Sequence, residues 1–152
     1  MRKSAPFKDC TDTELELVAS ASEILSVKAG EVIFSVGSPA EHLYVIKSGT
    51  VELRFKVSSY AALQEITIDR KIEGDAFGWS ATTTPHSFSL SSVAGVDSEL
   101  IRICRSDLMR LCAENDHFGH VFMKSMADII GRRLNLIRRM LTDVVQDRLE
   151  KV

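Results

Sequence analysis

Short alternating segments fill residues 23–104 and predict strands. In residues 50–57 (TVELRFKV), apolar side chains fall at every second position between charged ones. This is the period-two pattern of a strand with one buried face. Turn residues such as Ser48-Gly49 separate it from similar segments. We therefore predict at least six strands in an antiparallel sandwich or barrel, at about residues 31–36, 42–47, 50–57, 65–72, 92–95 and 99–103.

Helical patterns flank the strands. Thr11 and Glu14 have the spacing of a capping box, so a helix of about three turns is predicted from Asp12, within a helical entry at 11–22. After the strands, helices are predicted over 106–152. Ser106 is expected to cap a short first helix. Residues 115–116 are expected to break the pattern and cap a second helix.

The second helix is expected to run from His117 to Val152 without a proline. Such a helix is about 50 Å long, at about 1.5 Å per residue. One small barrel cannot cover that length, so the apolar stripe is expected to pair with a second copy in a homodimer. The alternative is that the helix bends back and buries the stripe within its own chain. The stripe consists of Ile130, Leu134, Ile137, Leu141 and Val144.

Composition narrows the class of protein. The 152 residues predict one domain over 1–152, and a net charge of −2 disfavours binding to nucleic acid by bulk charge. No long apolar run predicts a membrane span, and the N-terminus has no secretory h-region. Three cysteines without a C-x-x-C motif predict neither a disulfide framework nor a metal site. We expect a cytoplasmic protein.

An ordered set of motifs then points to a family. Residues 29–53 (AGEVIFSVGSPAEHLYVIKSGTVEL), residues 74–78 (GDAFG) and residues 131–134 (GRRL) resemble, in this order, the cyclic-nucleotide-binding domain family of catabolite-activator type. The resemblance implies an α+β fold. It consists of an antiparallel β jelly-roll barrel with a short N-terminal helix and a long C-terminal dimerisation helix that lies over the ligand.

The family's phosphate-binding cassette corresponds to residues 77–89, and two of its charged contacts are missing. In the family, Phe-Gly is followed by a Glu that accepts from the ribose 2′-hydroxyl, and later by an Arg for the phosphate. Here Trp79 stands at the Glu position, and an indole can donate a hydrogen bond but cannot accept one. The Arg position falls on Phe88 or on His86, depending on how the shorter loop is aligned.

Ordinary cyclic AMP is therefore expected to bind weakly, since a lost charge-assisted contact costs about 1.5–3 kcal/mol. One hypothesis is that a non-standard cyclic nucleotide or another small anion binds, held by the backbone of residues 78–82 and by side-chain hydroxyls. The other is that the pocket is empty or plugged by Trp79. No further cofactor is indicated. The candidate ligand residues are Phe77, Gly78, Trp79, Ser80, Ala81, Thr82, His86, Phe88 and Ser89.

On the long helix, the resemblance places Ile137 and Arg138 at the positions that face the ligand. Arg138 could stack on a base or reach an anion. The alternative is that it lies on a solvated helix face together with Arg132, Arg133 and Arg139, and that alternative is favoured.

The sequence gives weaker support for other kinds of site. His117 and His120 are one helical turn apart, but two ligands make a poor metal site. An apolar pocket of Trp79, Phe88 and Ile137 would suit haem, yet no axial ligand is evident. No catalytic constellation is present, so we predict a non-enzymatic sensory module. No helix-turn-helix pattern follows the long helix, so no DNA binding is expected within this chain. A degenerate dimeric interaction domain and the sensor fragment of a transcription regulator are the alternatives.

Overall fold

Two four-stranded antiparallel sheets form the body of the structure, a computed structural model that describes residues 4–152. The strand orders are β1-β8-β3-β6 and β2-β7-β4-β5. This arrangement confirms the predicted jelly-roll fold. The strands are β1 Ser22–Val27, β2 Val32–Phe34, β3 His42–Ser48, β4 Val51–Ser58, β5 Leu63–Lys71, β6 Ala76–Phe77, β7 Ser91–Ala94 and β8 Ser98–Cys104.

Helices lie at both ends of the described chain. They are a 3-10 turn at Ala5–Phe7, α1 at Asp12–Ser20, α2 at Arg105–Glu114 and α3 at Asp116–Glu150. The helical entry is shorter than predicted, because the Ala21 N–H closes α1 and Ser22 already belongs to β1. The sequence of β1 does not predict a strand, because its apolar and polar residues alternate only weakly. In the structure its apolar Ile24 is exposed.

The predicted capping box at the start of α1 is confirmed and extends to α3. The Thr11 N–H donates to Glu14 Oε2 at 2.8 Å, and the Glu14 N–H donates to Thr11 Oγ1 at 3.3 Å. His117 Nδ1 lies 2.8 Å from the other carboxylate oxygen. Glu14 is buried, so one carboxylate joins the first helix to the start of the last.

The start of α2 differs from the prediction. Ser106 does not cap this helix: it lies within its first turn, and Cys104 holds the N-cap position without a side-chain cap. The Arg105 N–H is instead satisfied by the Glu41 carbonyl at 2.8 Å. At α3 the predicted break and cap are confirmed, since the Asn115 side chain accepts from the Phe118 N–H at 3.0 Å.

The hydrophobic core has two parts. The first lies between one sheet and the helices, where Phe7 stacks on Phe122 with ring centroids 5.8 Å apart. The second lies inside the barrel, around Phe34, Tyr44 and Phe77. Burial of α3 ends at about Arg133, and the rest of the helix projects from the barrel.

The hairpin of β4 and β5 also extends beyond the barrel. Val51 and Leu53 are buried as predicted, but Phe55 is 50% exposed. The reason is that β7 pairs with β4 only over residues 51–54, so the outer half of β4 has β5 as its strand neighbour. The apolar side chains at this end therefore form an outer wall. Within residues 4–152, no helix is long and apolar enough to cross a membrane.

Glu14 makes the free energy of unfolding depend on pH. Burial alone would raise the pKa of Glu14, but the Thr11 N–H and His117 hold it below the usual value of a glutamate. The stability from ionised Glu14 is therefore present above the unfolded-state pKa and is lost as pH falls through the lower folded-state pKa. We expect Glu14→Gln to lower the free energy of unfolding by about 1–3 kcal/mol at about pH 7.

This deficit should shrink at about pH 3, as measured by urea unfolding of both proteins. The control is Glu16→Gln, because Glu16 is exposed on the same helix. A Glu14→Gln deficit that is the same at both pH values would contradict the assignment.

Candidate ligand site

The cassette segment, residues 77–89, begins with a tight turn at the end of β6. Gly78 has φ of 80° and is followed by a 3-10 turn at Trp79–Thr82. The Ala81 N–H donates to the Gly78 carbonyl at 3.1 Å, and Thr82 Oγ1 donates to the Trp79 carbonyl at 2.7 Å. Ser80 and Ala81 are buried. The segment thus starts with a short helical turn.

Glycine is required at position 78 for two reasons. Its positive φ is rarely adopted by residues with a Cβ. A Cβ here would also lie 3.1 Å from the Tyr44 ring and 3.2 Å from the His42 carbonyl oxygen. The cassette backbone is therefore pressed directly against β3.

His86 is bound to the cassette's own backbone. Its Nδ1 donates to the Ala81 carbonyl at 3.2 Å, since a carbonyl can only accept. Its own carbonyl accepts from the Ala40 N–H at 2.7 Å, and its φ is 57°. The peptide bond between Thr84 and Pro85 is cis. His86 therefore closes the loop rather than projecting into the barrel.

Phe88 occupies the interior of the barrel. It is 5% exposed and stacks on Phe34, with ring centroids 3.6 Å apart and an interplanar angle of 7°. Phe34 in turn contacts Tyr44 and Phe77 at centroid distances of 5.7 and 6.0 Å. An aromatic ring thus fills the space behind the cassette.

The cavity that remains behind the cassette is very small. It has a volume of about 20 Å³ and is bordered by Gly78, Trp79, Ser80 and Phe88. That volume holds about one water molecule, whereas pockets for ligands of drug size begin at roughly 300 Å³. Ser89 also borders this cavity but is itself exposed. The side chain that closes the pocket is Phe88, whereas the sequence hypothesis gave this role to Trp79.

A second space lies between the barrel and α3, and Trp79 borders it. This barrel–helix cleft has a volume of about 520 Å³. Trp79 is half-buried, with one side toward the first core and another toward the cleft. The cleft is lined by Phe55, Ile68, Trp79, Ser89, Leu90, Ile130, Arg133, Leu134, Ile137, Met140, Leu141 and Val144.

The two candidate positions on α3 lie in different surroundings. Ile137 is 47% exposed and lines the cleft. Arg138 is exposed, and its carbonyl accepts from Thr142 Oγ1 at 2.9 Å. The structure therefore brings Ile137, Trp79 and Ser89 together around one space, and Arg138 lies on the outer surface.

Arg133 corrects the sequence interpretation. It was grouped with Arg132 and Arg139 on a solvated face, and this is wrong for Arg133, which is 8% exposed. Its Nη2 donates to Asp69 Oδ2 on β5 at 3.0 Å, and Lys71 Nζ lies 2.9 Å from the same oxygen. Its position three residues after Ile130 and four before Ile137 could have indicated that it shares their helix face.

The two histidines at the start of α3, His117 and His120, are both exposed. His117 is hydrogen-bonded to Glu14, as described above. In the described part of the chain, no cluster of three or more His, Cys, Asp or Glu side chains is arranged to hold a metal ion.

The cysteines are free thiols in the structure. Burial, reinforced by the charges of Glu14 and Asp9, raises the pKa of Cys10 to about 11. Burial also raises the pKa of Cys112. Because the thiolate is the reactive form, both cysteines have low reactivity at neutral pH.

Comparison with known proteins now identifies the family. Residues 24–115 match the family model of the cyclic nucleotide-binding domain. The chain therefore belongs to the cyclic nucleotide-binding domain family.

Relatives of catabolite-activator type support this assignment. The chain is 28% identical over 134 residues to the cyclic AMP receptor protein of Thermus thermophilus, which covers 88% of this chain and 59% of the relative. The chain thus spans about three fifths of the length of that relative.

Solved structures share the fold. The catabolite activator protein of Thermus thermophilus has a TM-score of 0.76 and 25% identity, covering 93% of this chain and 63% of that chain. The sensor domain of the transcriptional regulator DNR from Pseudomonas aeruginosa has a TM-score of 0.70. Its identity is 18%, with 88% of both chains covered, so it is similar in fold alone.

The contacts of Gly78 can be tested by comparing two glycines. We expect Gly37→Ala to cost about 1–2 kcal/mol of unfolding free energy from its positive φ alone, because nothing lies within 4 Å of the added Cβ. Gly78→Ala should cost at least about 1 kcal/mol more, because the Tyr44 ring must move. Equal losses in urea unfolding would show that the cassette is not pressed against β3.

Proposed function

We propose that this protein is a non-enzymatic sensory or regulatory module that acts as a homodimer through α3. A small ligand binds where α3 meets the barrel, and its binding changes the position of the helix. Ligand binding and dimer contact then both depend on one equilibrium between two positions of α3.

The observation that carries this proposal is the composition of the barrel–helix cleft. One side of it is contributed by the barrel, including Trp79 and Ser89 of the cassette. The other side is contributed by α3, through residues such as Ile137 and Leu141 of the predicted dimer stripe. A molecule in the cleft would therefore contact the cassette and the dimer helix at the same time.

The projecting half of α3 supports a homodimer. Leu134, Leu141 and Leu149 are 66%, 62% and 73% exposed. A helix with this much exposed apolar surface is stabilised by a partner. A second copy presents the same stripe, and a two-fold dimer satisfies both helices at once.

The names of the relatives support a regulatory role. One is a cyclic AMP receptor protein and another is the sensor domain of a transcriptional regulator. Their ligands do not transfer directly, because Phe88 fills the barrel and about 20 Å³ remains behind the cassette. We therefore propose the cleft, rather than the backbone of residues 78–82 alone, as the place of the ligand. A cytoplasmic location is part of the same proposal.

A second candidate is a ligand-free dimeric interaction domain. The stacking of Phe88 on Phe34 favours it, because a packed barrel needs no ligand to complete its core. In this case a partner would cover the cleft. The third possibility, the sensor part of a longer transcription regulator, is compatible with either candidate.

The dimer can be tested at Leu141. We expect Leu141→Glu to give a folded monomer, since the side chain is 62% exposed in the protomer and its charge would be buried between two helices. Arg139→Glu is the matched control, because it introduces the same side chain at an exposed position outside the stripe. Light scattering after size-exclusion chromatography measures both masses. A dimeric Leu141→Glu protein would refute the proposed interface.

The closure of the barrel can be tested with cyclic AMP. At about 1 mM nucleotide, we expect no rise in the thermal midpoint, because the cavity behind the cassette cannot admit it. A ligand at 100 times its Kd would add about 2.7 kcal/mol, which is several degrees for a domain of this size. The Thermus thermophilus receptor serves as the positive control. A saturable rise for this chain would mean that cyclic AMP binds in the barrel–helix cleft or that Phe88 moves aside.

A further inference from the structure

The barrel–helix cleft has a nearly uniform apolar wall with a single charged residue in it. Phe55 and Ile68 border it from the hairpin, and Ile137 and Met140 border it from α3. Ser89 and Arg133 are the polar members of the lining. Such a wall offers little to the hydroxyls of a ribose or to the edge of a base, whose burial without hydrogen bonds is costly.

The charge on Arg133 is only partly balanced by its neighbours. Asp69 accepts from Arg133 at 3.0 Å and is also paired with Lys71 at 2.9 Å. Two cations thus share one carboxylate, which leaves one net positive charge in this group. The bond to Asp69 uses one of the five N–H donors of the guanidinium. Because Arg133 also lines the cleft, the other donors are the ones that an acceptor in the cleft would use.

The two apolar edges of α3 differ in exposure. Leu134 and Leu141, at 66% and 62%, lie on the more exposed edge, whereas Ile137 and Met140 are 47% and 38% exposed. Leu134 and Leu141 belong, with Ile137, to the stripe that the proposed function assigns to the second copy, and they line the cleft as well. Ile137 and Met140 follow Arg133 by four and seven residues and therefore share its side of α3. A ligand at Arg133 and a partner helix would thus contact each other along the cleft.

We infer that the cleft binds a small amphiphilic monoanion, with its carboxylate at Arg133 and its aliphatic or aromatic body along the apolar wall. Charge complementarity selects the anion, since a neutral molecule would fill the wall but would not balance the positive charge that Asp69 shares between Arg133 and Lys71. The volume of about 520 Å³ lies within the range of small-molecule pockets. This inference rests on the proposed function, because it specifies the chemical class of the ligand at the same cleft.

The test uses dodecanoate as the probe, below its micellar concentration, with the fluorescence of Trp79 as the readout. Trp79 is the single tryptophan of the sequence and borders the cleft. We expect saturable binding of dodecanoate, weaker binding of dodecanol and the weakest binding of dodecyltrimethylammonium. Dodecanol that binds as tightly as dodecanoate would overturn the role of Arg133.

Two pairs of variants locate the carboxylate. Arg133→Gln should weaken dodecanoate at least about tenfold, whereas Arg132→Gln, at the exposed neighbouring position, should not. If Arg133→Gln does not fold, Ser89→Glu replaces it, because Ser89 is exposed and lines the cleft. Ser89→Glu should weaken dodecanoate by repulsion, and Ser89→Gln should not. Unchanged affinity in Ser89→Glu would overturn the inference.

Light scattering on the same samples separates the two levels of the hypothesis. A dimer that binds none of the three probes overturns the ligand class and leaves the dimer interface standing. A wild-type protein that is monomeric at all concentrations overturns the interface itself.

Discussion

The stacking of Phe88 on Phe34 determines how the rest of the molecule can work. With ring centroids 3.6 Å apart, these two side chains join Tyr44 and Phe77 in a continuous aromatic core. A fold whose relatives include a cyclic AMP receptor therefore has a solid interior at this place. A space of about 520 Å³ lies outside the barrel, against α3. Under the proposed function, ligand-dependent behaviour starts from there.

The two helical ends of the chain hold this arrangement in place. Glu14 links α1 to His117 at the start of α3, and Arg133 links the middle of α3 to Asp69 on β5. Between these two polar links, Phe118 and Phe122 pack in the first core. Beyond Arg133 most side chains of the helix are exposed. The ion pair with Asp69 is thus the last polar link between α3 and the sheet before the projecting half begins.

Much of the fold could be predicted from the sequence, because periodicity and capping are local signals. The alternation in β4 and the Thr11–Glu14 box are examples. The candidate site was harder to predict, because the sequence does not show which side chain of the cassette loop points into the barrel. The sequence left Phe88 and His86 as alternatives for one position, and the structure separates them because His86 Nδ1 binds the Ala81 carbonyl. Arg133 was misplaced since burial of one arginine among several depends on a distant strand.

Arg133 has one more property that follows from its place. It borders the cavity behind the cassette, the barrel–helix cleft and a third cavity of about 210 Å³ near Ala5 and Asp75. One side chain of α3 thus borders all three cavities. The wall of the cavity behind the cassette is therefore shared between the long helix and the cassette loop, so a shift of either element would change the shape of that space.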